Sequence, residues 1–154
     1  MSIRRIEPDA SGADRRVAIV QSRFNPDIGQ GLLAGALRAL KDAHVDEHRI
    51  TVVTVPGALE APLALQRLAQ SGHYDALVAL GAVIRGDTYH FDIVANESAS
   101  GISGVQLEFG IPIGNGVLTC DSDSQAEARM DAKGYEAAVA ALELANLLDA
   151  IDKK

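Results

Sequence analysis

Four short runs along this chain are apolar at nearly every position, and each leads into a stretch where apolar residues recur every third or fourth place. The runs are Val17–Ser22, Ile50–Val55, Ala76–Ile84 and Ile113–Thr119. All four runs predict strands: the first is apolar on both faces, as parallel strands are, the second is rich in β-branched residues, and the third reads as buried. The fourth run contains Gly114 and Gly116, which weaken it. Ile28, Leu32, Leu33, Leu37 and Leu40 predict a helix over 27–43, and Leu59, Leu63, Leu65 and Leu68 a second ending near Gln70, with Pro62 in its early turns. Phe91, Ala95, Ser98, Ile102, Val105 and Phe109 form one stripe of a third helix that stops at Gly110 and Pro112. Asp121-Ser122-Asp123-Ser124 then caps a short helix through Met130, Lys133-Gly134 interrupts, and a last helix covers 135–150. The order β-α-β-α-β-α-β-α-α predicts an α/β fold. Parallel neighbours need crossover connections, so the sheet is open and parallel with helices on both faces.

The chain has 154 residues, enough for one domain with a real core, placed here at 17–150. Residues 1–16 carry only Ile3 and Ile6 as large apolar groups and are broken by Pro8, Ser11 and Gly12. From composition they form an extended arm or a frayed tail. Residues 151–154 form a solvated tail. A formal net charge of −7 with no basic stripe argues against nucleic acid as a partner, though not against one small anion in a local pocket. Cys120 stands alone, so neither an intrachain disulfide nor a thiolate metal cluster can form. No apolar stretch approaches membrane-spanning length and no signal peptide is visible, so the cytoplasm is the expected compartment. Abundant alanine makes slim helices that suit close subunit contacts as well as a tight monomer core.

In an open parallel sheet, ligands bind beyond the carboxyl ends of the strands. Three segments converge there: Ser22-Arg23-Phe24-Asn25, Val55-Pro56-Gly57-Ala58-Leu59-Glu60, and Arg85 to Phe91. Phe24, an aromatic ring in a polar turn, either stacks on a planar ligand or plugs a sheet edge or subunit contact. Glu60 either accepts from ligand hydroxyls or complements a helix dipole. Gly86, Asp87 and Thr88 stand between a strand and a helix start. Backbone N–H groups in that geometry can cradle an anion, or Asp87 or Thr88 simply caps the helix. His90 is the best acid–base candidate, its alternative being a histidine packed at a helix entry. His44, His48 and His73 read as surface groups, and no histidine–carboxylate spacing resembles a metal site. Arg129 and Lys133 can reach an anion or lie on a solvated helix face.

Arg23-Phe24-Asn25, Val55 to Glu60 and above all Gly81-Ala82-Val83-Ile84-Arg85-Gly86-Asp87-Thr88-Tyr89-His90-Phe91 resemble the lumazine synthase family. The likeness runs from about Val17 to Leu148 and includes Glu143-Leu144-Ala145-Asn146. It implies a flavodoxin-like, three-layer α/β/α subunit with a four-stranded parallel sheet. It implies pentamers, or a sixty-subunit shell of them, with the N-terminal arm adding a strand to a neighbour's sheet and active sites between subunits. Riboflavin synthase is a candidate partner. The implied reaction condenses 5-amino-6-(D-ribitylamino)uracil with 3,4-dihydroxy-2-butanone 4-phosphate to 6,7-dimethyl-8-ribityllumazine, releasing phosphate and water, without cofactor or metal.

By similarity, Phe24 stacks on the pyrimidine, Ala58 and Glu60 hold the ribityl chain, and Val83 and Ile84 meet the ring edge. Asn25, Gly57, Leu59 and Ala82 complete that pocket. Gly86, Asp87 and Thr88 receive the phosphate, Arg129 of a neighbour neutralises it, Lys133 aligns with a family lysine near the site, and His90 shuttles protons. Two departures stand out. Asn115 occupies the place of a phenylalanine that covers the heterocycle in many members, and the segment from Arg129 to Lys133 is short. Alternatives are a riboflavin synthase of the archaeal type, or a carrier of flavin or lumazine without activity.

Overall fold

The computed structural model describes residues 2–153; Met1 of the arm and Lys154 of the tail lie outside the described residues. β1 (Val17–Ser22) lies between β2 (Ile50–Val55) and β3 (Ala76–Ile84), and β4 (Ile113–Cys120) completes an all-parallel sheet in the order β2-β1-β3-β4. All four strands form where consecutive apolar positions predict them. Val17 to Val20 and Ala76 to Leu80 are buried on both faces because helices cover each side.

The alternation along β1 and β3 sorts the core into two layers. Val17, Ile19, Val78 and Leu80 face α1 (Pro26–Asp42) and α4 (Asp123–Asp152). Ala18, Val20, Leu77 and Ala79 face α2 (Ala61–Ser71) and α3 (His90–Phe109), whose Leu65, Ile102 and Val105 meet them. Pro62 sits in the first turn of α2, where its missing N–H has no intrahelical partner to lose. A single 3-10 turn, Ala58–Glu60, precedes that helix. Asn25 takes the left-handed conformation (φ 58°) immediately before α1, a region that asparagine tolerates better than most residues.

The expected break at Lys133-Gly134 is absent. α4 is one continuous helix of 30 residues, capped by the Ser122 hydroxyl, which accepts from the Gln125 N–H at 3.2 Å. Gly134 is therefore a contact residue: a Cβ there would collide with the backbone carbonyl of Leu32 on α1. Gly35 of α1 is pressed in the same way against the Asp131 carbonyl, and Gly114 of β4 against the Ala137 carbonyl. These glycines let α4 lie close on both α1 and the sheet, and that packing outweighs a helix-propensity cost of about 1 kcal/mol. Arg38 and Asp131 join the same two helices through paired hydrogen bonds of 2.6 and 2.8 Å, and the guanidinium lies over Tyr135 at 4.9 Å. The bonded Arg38 guanidinium holds the Asp131 carboxyl below its ordinary value.

Residues 2–16 carry no helix or strand, yet they are tethered. Asn146 donates to the Asp9 and Ser11 carbonyls at 2.7 and 2.9 Å, Arg15 bonds Asn146 and Asp149, and the Gly12 N–H meets the Ala43 carbonyl at 2.8 Å. A freely frayed tail is thus not what the second half of this segment forms. At the other end, α4 continues through Asp152, two residues into the expected tail.

Replacing Gly134 with Ala should lower the unfolding free energy by about 1–3 kcal/mol, the usual cost of overpacking a closed contact. Urea titration of the two proteins checks this; an unchanged midpoint would mean that α1 and α4 separate freely.

Candidate active site

Beyond their last paired residues, β1 and β2 stay zipped. The Arg23 N–H donates to the Val55 carbonyl at 2.8 Å and the Phe24 N–H to the Pro56 carbonyl at 3.1 Å. That pairing sets Phe24 beside Pro56 and Gly57, with the residue 68% exposed. On the other side, β3 ends at Ile84, and the Arg85 N–H bonds the Cys120 carbonyl at 2.8 Å. The chain then turns through Gly86 to Tyr89 and enters α3 at His90.

These ends enclose a cavity of about 410 Å³, inside the range of roughly 300–1,000 Å³ usual for small-molecule sites. Its walls are Phe24, Gly57, Ala58, Leu59, Glu60, Ala82, Val83, Ile84, Gly86, Thr88 and His90, all expected from the sequence. Pro56, Phe91 and Val94 also line it. Phe91 belongs to the stripe that predicts the helix; Val94, three residues on and on the same side of α3, lies outside that stripe and was not expected. A larger cleft of about 620 Å³ opens at the amino ends of the strands among Arg16, His48, Arg49 and His73. It lies at the opposite end of the sheet from the converging turns.

The turn into α3 leaves its backbone donors open. Among the described residues none accepts from the N–H of Gly86, Asp87, Thr88 or Tyr89, while the His90 N–H reaches the Thr88 hydroxyl only at 3.4 Å. Neither Asp87 nor Thr88 occupies the N-cap position, which falls to Tyr89 without a side-chain cap. An exposed row of donors at a helix N-terminus is a ready anion cradle. The rest of the wall is apolar apart from Glu60, Thr88 and His90. The cavity can therefore seat a planar ring against Phe24, hydroxyls against Glu60 and an anion on the turn, with one imidazole beside them.

Five expected residues do not line this cavity. Asn25 forms the left-handed entry to α1, and Asp87 is exposed in the turn and is not part of the wall. Asn115 is exposed on the edge strand β4, where its side-chain oxygen accepts from the Val117 N–H at 3.0 Å. Arg129 and Lys133 line a separate cleft of about 560 Å³ between β4 and α4, with Thr119 and Gln125. Arg129 there donates to the Gln125 carbonyl at 2.9 Å.

A family model described as 6,7-dimethyl-8-ribityllumazine synthase matches residues 14–149. The chain belongs to this family. Among curated relatives named 6,7-dimethyl-8-ribityllumazine synthase, one from Paraburkholderia phymatum is 53% identical over 153 residues, 99% of this chain and 89% of the relative. One from Nitrosospira multiformis is 51% identical over 152 residues, covering 99% and 95%. A third, from Azoarcus sp., is 54% identical over 147 residues, covering 96% and 94%. The likeness read from three motifs thus extends over almost the whole lumazine synthase chain, and the parallel four-stranded sheet agrees with its flavodoxin-like fold. Among the described residues no helix is long and apolar enough to cross a membrane.

Replacing Thr88 with Val should lower the affinity for inorganic phosphate by about tenfold, the value of one hydrogen bond to a charged group. Calorimetric titration measures it; equal affinities would remove the hydroxyl from the anion site.

Proposed function

We propose that the cavity at the carboxyl ends of β1, β2 and β3 is where this lumazine synthase family member condenses 5-amino-6-(D-ribitylamino)uracil with 3,4-dihydroxy-2-butanone 4-phosphate. The product is 6,7-dimethyl-8-ribityllumazine, the penultimate intermediate of riboflavin synthesis. The observation that carries the reading is that Phe24, Glu60, the open turn Gly86–Tyr89 and His90 border one cavity.

The pyrimidine lies on Phe24, with Ala82, Val83 and Ile84 along its edge and the ribityl hydroxyls donating to Glu60. The butanone phosphate rests on the N–H groups of Gly86 to Thr88 and the Thr88 hydroxyl. In that pose the 5-amino group of the pyrimidine attacks the ketone. His90 carries protons as the carbinolamine loses water to give the imine, and again as a carbon-bound proton leaves and inorganic phosphate departs. Elimination leaves an enol on the former carbinol carbon. It ketonises by taking a proton at its terminal carbon, which becomes a methyl group, and the ribitylamino nitrogen closes the ring on this new carbonyl with loss of a second water. Holding two substrates in register supplies much of the acceleration, and proton transfer by His90 adds about a hundredfold or more.

Arg129 and Lys133 open onto the cleft between β4 and α4 and not onto this cavity, so in this reading their charge reaches the phosphate from another copy. The reading therefore takes the functional unit to be a homo-oligomer, a pentamer by family resemblance, with each site completed by the neighbour's Arg129, Lys133 and Asn115. Among the described residues the outer edge of β2 is unpaired, and residues 2–16 hold no strand of their own. Both features suit an arm that adds to a neighbour's sheet, tethered at its base by Asn146. The cytoplasm is the compartment assigned to it, as suits a soluble biosynthetic enzyme with one buried, unpaired cysteine.

His90→Ala should slow turnover about a hundredfold while leaving pyrimidine binding nearly intact; an unchanged rate removes the imidazole from the mechanism. Arg129→Ala should raise the KM for the butanone phosphate specifically. Refolding equal amounts of the two variants together tests the shared site. Random assembly gives about a quarter of the sites both wild-type halves, so activity should return to about that fraction. No recovery would put both residues in one subunit's site.

A further inference from the structure

Arg85 stands where β3 ends and the anion turn begins, and its guanidinium is held from two sides. Nε donates to the Asp121 carboxylate at 2.8 Å, and the plane covers the Phe91 ring with 4.4 Å from Cζ to the centroid. Its backbone N–H is fixed as well, on the Cys120 carbonyl. Asp121 belongs to the connection between β4 and α4, and its own N–H bonds the Gln125 side chain at 2.8 Å. Phe91 is the second residue of α3 and a wall of the cavity. The five-residue stretch from Arg85 to Tyr89 thus has one end clamped to the rigid sheet and α4, while the far side of the clamp grips the ring next to His90.

Within the turn itself, by contrast, the one internal tie among the described residues is the 3.4 Å contact from His90 to Thr88. A turn with so few bonds of its own takes its shape from what braces it. We propose that Arg85 is a positioning residue: through Asp121 and Phe91 it sets the turn Gly86–Thr88 and the imidazole of His90 relative to the strand ends. The inference rests on the reading of the cavity given above. A guanidinium suits the task because it can stack flat on a ring and donate sideways at once, which a lysine ammonium cannot.

The molecule also contains a matched construction away from the cavity. Arg38 bonds Asp131 and covers Tyr135 between α1 and α4. If Arg85 acts only as a surface tie, removing either arginine should have the same consequence.

The test compares Arg85→Ala, Asp121→Ala and Arg38→Ala in steady-state assays with both substrates, alongside thermal unfolding of each. Arg85→Ala and Asp121→Ala should each lose about tenfold in kcat/KM for the butanone phosphate, with the KM for the pyrimidine within about twofold. The double variant should lose little more than either single one, because both act through one contact. Arg85→Lys should recover only part of the loss, and Arg38→Ala should leave the kinetics unchanged. An Asp121→Ala enzyme that matches the wild type would overturn the proposal, since a freed Arg85 would then be meeting the phosphate directly. A loss in Arg38→Ala equal to that in Arg85→Ala would also overturn it, as plain destabilisation. A wild-type chain that fails to form lumazine would instead refute the reading of the cavity, so the two failures are distinct.

Discussion

A parallel sheet cannot turn back on itself with a tight hairpin, and every strand must be followed by a crossover that begins at the same edge. That constraint brings Phe24 after β1, Gly57 to Glu60 after β2 and Gly86 to His90 after β3 to one end of a four-stranded sheet. None of these groups is near the others in sequence. The strands supply the rigidity: Val17 to Val20 and Ala76 to Leu80 are buried, and their hydrogen-bonded registers lock the turns that grow from them. The chemistry is thus carried by loops, and their relative placement by a core that takes no part in it.

The same arrangement underlies the proposal that the site is shared between two chains. The cavity has its aromatic ring, carboxylate, open N–H row and imidazole, but its anion turn carries Asp87 and no lining cation. The cations Arg129 and Lys133 face the opposite layer, where α4 crosses β4. In the proposed oligomer, one subunit's cavity faces another's cleft, and the phosphate gains the charge of Arg129 and Lys133. Arg85 bears on both halves, because its partner Asp121 lies in the connection that leads into α4.

The α1–α4 layer shows a different use of small residues. Gly35 and Gly134 bring two backbones together, and the same helix rides over Gly114 of β4. A helix of 30 residues with a glycine near its middle is locally unfavourable. It persists because the close approach buries Leu32, Ala138 and Leu142 completely. The long rigid helix fixes Arg129 and Lys133 relative to the sheet, which a broken helix would not do.

Much of this architecture is legible in the chain alone. Strand and helix types follow from local periodicity, and the strand order of events along the chain forces the crossovers and hence the end at which Phe24, Glu60, Thr88 and His90 meet. The limits of reading appear at particular residues. Gly134 reads as a break because propensity is local, whereas its role depends on Leu32, a hundred residues distant in the chain. Asn25 and Asp87 sit inside motifs that touch the cavity without lining it themselves, a distinction that spacing does not encode. Arg85 reads as part of a turn, and only the folded positions of Asp121 and Phe91 make it a brace. Local pattern decided which elements exist and which turns share an edge; contacts between residues far apart in the chain decided which side chains face the cavity, because those contacts exist only after the layers have packed.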